Sequence, residues 1–354
     1  MARQLTVFTP YGREAASARV RMVEWLEICG APYELHTYIG ARNASPWTLV
    51  SHLPEVVLAE VRLRRFEHDP GSTLVVHREA SPFSTGDIEE RLLRGAAFSV
   101  YDFDDALQWD VHGGLRRGFI DRPSKTERCV KAADVVVAGS ELLADWATGF
   151  AKNVTLIPTC VDPHAYVPKH NYELSDPPIV GWVGSPATEP NLRLLTEPLL
   201  MLHDRTGARL HVVSRGAANL GALDQMVTRV DWHSHTVSRE MASFDIAVAP
   251  LRADLFGRGK CAYKILQYAA AALPVIGSAT GANRRVVGEL GIPAARSSDD
   301  WFMQLLSLIE APASERARSG ALARRRVEDC YSFTAWLPAM RTALGMDDVL
   351  EATA

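Results

Sequence analysis

Short apolar runs alternate with amphipathic helical stretches along nearly the whole chain, and few folds accept that pattern. LTVFT (5–9) precedes EAASARVRMVEWLEICG (14–30), whose apolar residues recur at helical spacing and which ends on Gly30. YELHTYI (33–39), STLVVH (72–77), AFSVYDF (97–103) and ADVVVAGS (133–140) continue the series, and NVTLIPTCVD (153–162) closes the first half. Strands separated by helices pair in parallel, because a parallel connection needs a crossover. The first half is therefore expected to be a parallel sheet covered by helices.

The stretch 163–178 is rich in proline and polar residues without periodicity, which marks a linker. A second set follows with IVGWVG (179–184), ARLHVVS (208–214), TRVDW (228–232), FDIAVAP (244–250) and LPVIGS (273–278). At 354 residues the chain is long enough for two cores. The expected division is an acceptor-side Rossmann-like domain at 1–170 and a second Rossmann-like domain at 171–331. The tail 332–354 is expected to be a helix lying back on the first domain, and two doubly wound domains imply a cleft.

Composition narrows the function classes. The formal charge of −4 gives no global basic field for nucleic acid or an acidic membrane. No apolar run reaches the roughly 18 to 20 residues that span a bilayer, and MARQLTVFTPYG lacks the layout of a secretory signal, so a cytoplasmic protein is expected. The five cysteines, at 29, 129, 160, 261 and 330, form no CxxC pair and read as reduced thiols.

Chemistry must then sit in a local site, and in parallel sheets that means the loops beyond the strand carboxyl ends. GREAASARVR (12–21) lacks the GxGxxG of a dinucleotide enzyme but carries Ser17, Arg19 and Arg21, which either reach a ligand or form an exposed helix face. The run 256–287 is more telling. Lys260 and Lys264, four apart, are expected on one helical face near the positive end of the dipole, with Gln267 one turn beyond Lys264. Small-residue loops at Gly184 and Ser185 and at Ser278, Gly281, Ala282 and Asn283, together with Arg215, complete the candidate diphosphate pocket. His77 ends a strand and is either an acceptor contact or a buried histidine. Asp102, Asp104 and Asp105 imitate a metal-binding DxD; acceptor orientation or loop structure is the expectation for them, and no metal is assigned. Trp182 and Trp232 are expected to pack.

SARVR, YDFDDA (101–106), VAGSELLADW (137–146), IPTCVD (157–162), GWVGSPAT (181–188), FDIAVAPL (244–251) and GKCAYKILQYAAAALPVIGS together resemble the retaining GT-B glycosyltransferases of family 4, also called glycosyl transferase group 1. The resemblance implies two Rossmann-like domains facing a cleft, with the helix after GKC touching the donor's diphosphate and ribose. It implies a nucleotide diphosphate sugar as substrate, no cofactor and no metal, with UDP as the donor nucleotide by prior only. The acceptor is open among a small natural product, a glycan and a lipid-linked sugar, with no nucleic acid partner. Arg19, His77 and Lys264 take the catalytic roles, and Ser17, Asp104 and Asp105 the acceptor side. The family's E-x7-E pair falls on Gly259 and Gln267, so both carboxylates are missing. A sugar-nucleotide epimerase and a catalytically silent binding module are the competing readings.

Overall fold

The structure is a computed structural model and describes residues 4–13, 15–40, 46–109 and 121–346. Glu14, within the predicted opening helix, lies outside the described residues. The chain forms two compact units. One comprises Met1–Thr159, Gly259–Cys261 and Trp336–Ala354; the other comprises Cys160–Arg258 and Ala262–Ala335.

In the first unit β1 (Gln4–Thr9), β2 (Tyr33–Thr37), β3 (Ser72–His77), β4 (Phe98–Phe103), β5 (Val135–Ala138) and β6 (Val154–Leu156) pair in parallel in the order β2-β1-β3-β4-β5-β6. β3 is buried along its whole length and β1 along all but its first residue. Strands covered on both faces read as continuous apolar runs, which is why LTVF and LVV were legible.

The opening helix departs from regular spacing. It is α-helical over Ala16–Ala18, a π-helix over Arg19–Val23 and α-helical again over Glu24–Cys29, ending at Gly30 with φ +67°. Val20, Arg21, Met22 and Val23 are all buried. Four consecutive residues of an α-helix spread through about 300°, so a covered run of that length that includes an arginine needs a polar partner inside. The helices Pro46–Ser51 and Leu53–Arg64 carry apolar residues on several sides and were not anticipated.

In the second unit β7 (Ile179–Val183), β8 (Arg209–Val213), β9 (Val227–Val230), β10 (Ile246–Ala249), β11 (Val275–Ser278) and β12 (Ala294–Ala295) form another parallel sheet in the order β12-β11-β10-β7-β8-β9. One core packs Phe244, Ile265, Tyr268 and Val275 against Val327 and Tyr331, and another packs Trp182, Leu199 and Leu210 against Trp301 and Leu305.

The division between units falls at Thr159/Cys160 rather than at 170/171, and the return falls at Ala335/Trp336 rather than at 331/332. The reason is hydrogen bonding. Val161 N donates to Tyr331 O at 3.0 Å, Phe333 N to Val161 O at 3.3 Å, and Lys169 N to Ala271 O at 2.9 Å, so the expected linker is tied into the second unit. Among the described residues no helix is long and apolar enough to cross a membrane.

Candidate functional site

The carboxyl ends of β3 and β4 bring chemistry together in the first unit. Parallel register sets His77 opposite Asp102. His77 Nδ1 lies 2.7 Å from Asp102 Oδ1, and the Arg21 fork reaches the same carboxylate from the π-helix, Nη2 at 2.5 Å and Nε at 3.4 Å. Arg21 Nη1 also donates to Ile157 O at 2.9 Å and Pro158 O at 3.1 Å. All three side chains are about 1% exposed or less. Burial pushes the Asp102 carboxyl up, but Arg21 and His77 outweigh it and hold it below its ordinary value. Nδ1 faces the Asp102 carboxylate, and His77 Nε2 is buried with no partner among the described residues. His77 is therefore enclosed, and its contact is with Asp102.

Beyond β4, Asp104 and Asp105 are also committed to cations. Arg78 Nη2 lies 2.6 Å from Asp104 Oδ1 and 2.7 Å from Asp105 Oδ2, and Lys260 Nζ lies 2.6 Å from Asp105 Oδ1. Cys261 Sγ contacts Asp104 O at 2.8 Å. Arg78 adopts φ 62°, and its own carbonyl accepts Tyr101 Oη at 2.9 Å. Burial raises the Asp104 carboxyl while Arg78, then His77 and Arg21, bring it below the ordinary value. Among the described residues no group of three or more His, Cys, Asp and Glu is placed to hold a metal ion.

Lys260 and Lys264 do not share a helical face. The helix spans Tyr263–Ala270 and is preceded by Ala262 at φ 56°, a left-handed turn that breaks the helical phase between the two lysines. Lys260 belongs to the first unit and Lys264 to the second. Lys264 Nζ lies 5.4 Å from the ring centroid of Trp182, at the carboxyl end of β7. A Cβ on Gly184 would come within 2.3 Å of the Trp182 ring and 2.9 Å of Lys264 Cε, so only glycine allows both side chains to lie there. Trp182 is a packing residue, as expected, and also floors the lysine.

Gln267 is buried and donates to Tyr166 Oη at 3.2 Å. Arg215 Nε donates to Trp232 O at 3.0 Å with its guanidinium 5.3 Å from the Trp232 ring. Ser278 Oγ accepts from Leu251 N at 2.9 Å, and Asn283 is buried. Gly281 lies at φ +54° and a Cβ there would meet Arg258 O at 2.1 Å, so both the backbone and the space call for glycine, and the helix Ala282–Leu290 starts directly after it. Ser185 is exposed at the start of the 3-10 segment Pro186–Leu195. Ser17 is half-buried on the opening helix, and Arg19 Nε lies 3.7 Å from Glu24 Oε1.

Sequence reading missed two buried acidic anchors. Glu89 accepts Ala80 N at 2.9 Å and Ser81 N at 3.0 Å and lies 3.3 Å from Lys125 Nζ, fixing the loop after β3. Glu189 accepts Ala218 N at 2.9 Å and Arg229 Nη1 at 3.1 Å, fixing the loop after β8. Both sit in stretches that read as exposed helix or loop, where spacing gives no sign of burial.

Residues 177–311 match the family model described as Glycosyl transferases group 1. No curated protein matches the sequence. Similar solved structures include TarM (13% identity, 80% of this chain and 57% of that one, TM-score 0.60). Two others match almost end to end. One is the E. coli trehalose-6-phosphate structure bound with UDP-2-fluoro glucose (12% identity, 96% and 98% coverage, TM-score 0.65). The other is HepE of Anabaena in complex with UDP (12% identity, 98% and 100% coverage, TM-score 0.63). The chain thus spans little more than half of TarM. The fold is α/β of the GT-B class, two doubly wound parallel sheets.

Proposed function

We propose that the chain is a glycosyltransferase that moves a hexosyl group from a nucleotide diphosphate sugar to an acceptor hydroxyl, with retention and without a metal. The observation that carries the reading is Lys264, in the first turn of Tyr263–Ala270 and beside Gly184, inside the segment that matches the family model. A cation in a helix's first turn stands beside the positive end of the macrodipole, so an incoming anion there is attracted by both. A diphosphate at that helix end would meet both the ammonium and the leading end of the helix. UDP is the nucleotide favoured, because two of the similar structures hold UDP or a UDP-sugar.

In the proposed reaction the bond from the anomeric carbon to the donor phosphate breaks and a bond to the acceptor oxygen forms on the same face. The acceptor proton passes to the departing phosphate oxygen, so no separate base is required. Negative charge grows on the diphosphate, and Lys264 offsets it. Arg19 is assigned a catalytic role and Ser17 the acceptor side, both in the first unit. His77 acts as a positioning residue through Asp102, since its ring is enclosed.

Calorimetry with UDP and GDP tests the donor site. Lys264→Ala should weaken nucleotide binding by about 1–3 kcal/mol, the range for a charge-assisted contact. Equal affinity in the variant would remove Lys264 from the site. Turnover, followed by product mass to separate transfer from epimerisation, should persist in EDTA, because Arg21, His77, Arg78 and Lys260 already occupy the aspartates of YDFDDA. Activity lost to EDTA and restored by manganese would overturn the metal-free assignment.

A further inference from the structure

The carboxyl ends of β1 and β2 and the helix Leu53–Arg64 border a pocket of about 380 Å³ in the first unit. That volume falls in the range of small-ligand sites, about 300–1,000 Å³. Its walls carry apolar Phe8, Leu35, Tyr38, Leu58, Leu63 and Phe66, with the charged Glu55 and Arg62 on the helix side. The rings are mutually fixed. Phe8 stacks on His36 with centroids 4.7 Å apart and meets Phe66 edge-on at 5.0 Å. Leu58 lines the pocket yet is 47% exposed, so the apolar lining reaches the surface.

A second, more open cleft of about 770 Å³ shares Leu35, Thr37 and Gly40 with the first. It has a different character, with Arg13, Tyr33 and Glu34 in its lining. Arg13 Nη2 donates to Tyr33 Oη at 2.9 Å and to Glu27 Oε1 at 2.8 Å on exposed surface. The pocket at the carboxyl ends of β1 and β2 is joined to a polar cleft that runs along the edge strand β2 back to Tyr33 and Glu34, an arrangement that matches a molecule with one apolar and one polar end.

We propose that the first unit binds an amphiphilic acceptor, with its alkyl or aryl group in the apolar pocket and its polar head in the cleft beside Arg13 and Glu34. This rests on the glycosyltransferase reading above for the word acceptor, but the binding site stands on the two pockets alone. The apolar end is what the site selects, because burying it contributes in proportion to the area removed from water.

The full chain is titrated calorimetrically with methyl, hexyl and octyl glucoside below their micelle-forming concentrations, and with UDP in parallel. Each methylene that enters the pocket should tighten binding about fourfold, so octyl glucoside binds and methyl glucoside does not. Ala59→Phe, which fills the pocket from its lining, and Leu58→Asp, which adds a charge there, should each weaken octyl glucoside tenfold or more. Val50→Asp, at an exposed residue outside the lining, should leave it unchanged. Unchanged amide-exchange protection of β1 and β3 in the three variants reports an intact first unit, and UDP affinity measured in parallel separates failure of this site from failure of the donor reading. Equal affinity for methyl and octyl glucoside, or a chain-length dependence that survives both pocket variants, overturns the proposal. So does binding to phosphatidylglycerol vesicles that Val50→Asp abolishes, with no binding of monomeric octyl glucoside.

Discussion

Asp102 is the residue on which the first unit's strand ends converge, and its burial is tolerable only because Arg21 and His77 face it. Removing one partner of a buried pair leaves the other charge uncompensated, at a cost of about 3–5 kcal/mol. Arg21→Ala should therefore lower the urea-unfolding free energy by that amount, whereas Arg19→Ala, half-buried beside Glu24, should stay within about 0.5 kcal/mol. From the sequence, Arg19 and Arg21 either reach a ligand or form an exposed helix face. Arg21 is instead buried against Asp102, so its loss acts on the fold and it cannot serve as the neutral control for a catalytic test on Arg19. Equal small effects would mean that Asp102 is hydrated or protonated. The pH dependence has a definite sign. Asp102 and Asp104 are depressed in the folded state, so their contribution is present above the ordinary carboxyl value near 3.8 and is lost as pH falls through the lower folded values. Stability should vary little through this pair from about pH 7 to 5 and fall on the acid side, and Asp102→Asn should flatten that limb. An acid limb unchanged in Asp102→Asn would assign it to other carboxylates. None of this triad was legible as a unit, since Arg21, His77 and Asp102 are far apart in sequence and meet only through parallel register and the π-helix.

Among elements, helices show how local preference and packing can oppose each other. Gly288 lies in Ala282–Leu290 and Gly320 in Ala313–Cys330, and helix propensity alone favours alanine at both by about 0.5–1 kcal/mol. A Cβ on Gly288 would meet nothing within 4 Å, whereas one on Gly320 would come within 2.0 Å of Ala272 O. Gly288→Ala should therefore stabilise and Gly320→Ala destabilise, as thermal unfolding of the two variants would show. If both stabilised, the helix bearing Gly320 would have to lie further from Ala272 than it does. The same contrast explains what the sequence revealed. Most of the predicted strands were visible because buried parallel strands are apolar throughout, the edge strands β2 and β9 stood out only by their place in the strand and helix alternation, and NVTLIPTCVD was read longer than the β6 it contains. β12 has only two residues and leaves no pattern. The phase break at Ala262 was equally hidden, because alanine at positive φ carries no composition signal, and it is what separates Lys260 from Lys264.

At the scale of the whole molecule, two cores were legible from length and from the strand and helix alternation, but the points where the chain passes from one to the other were not. Composition marked 163–178 as a linker, while backbone hydrogen bonds from Val161 and Lys169 bind the start of that region into the second unit. The C-terminal segment is a sharper case. From Trp336 the chain belongs to the first unit. There Thr73 Oγ1 donates to Leu344 O at 3.1 Å and Arg341 Nη1 to Cys29 O at 3.0 Å, and Met340, Leu344 and Met346 are buried. Burying each such side chain stabilises by roughly 1.5–3 kcal/mol, so together they approach the 5–15 kcal/mol by which a typical domain is stable. Ending the chain at Ala335 should consequently strip protection from the first unit, on β1 and β3, while the second unit keeps its own cores. Amide hydrogen exchange resolved by peptide measures this directly. The expected result is a loss of protection by more than tenfold at Leu5–Phe8 and Leu74–Val76, with Val180–Val183 and Val275–Ser278 unchanged. Equal loss in both sheets would mean that the two units fold as one cooperative body, and no loss in either would mean that the segment contributes nothing to the core on which it lies.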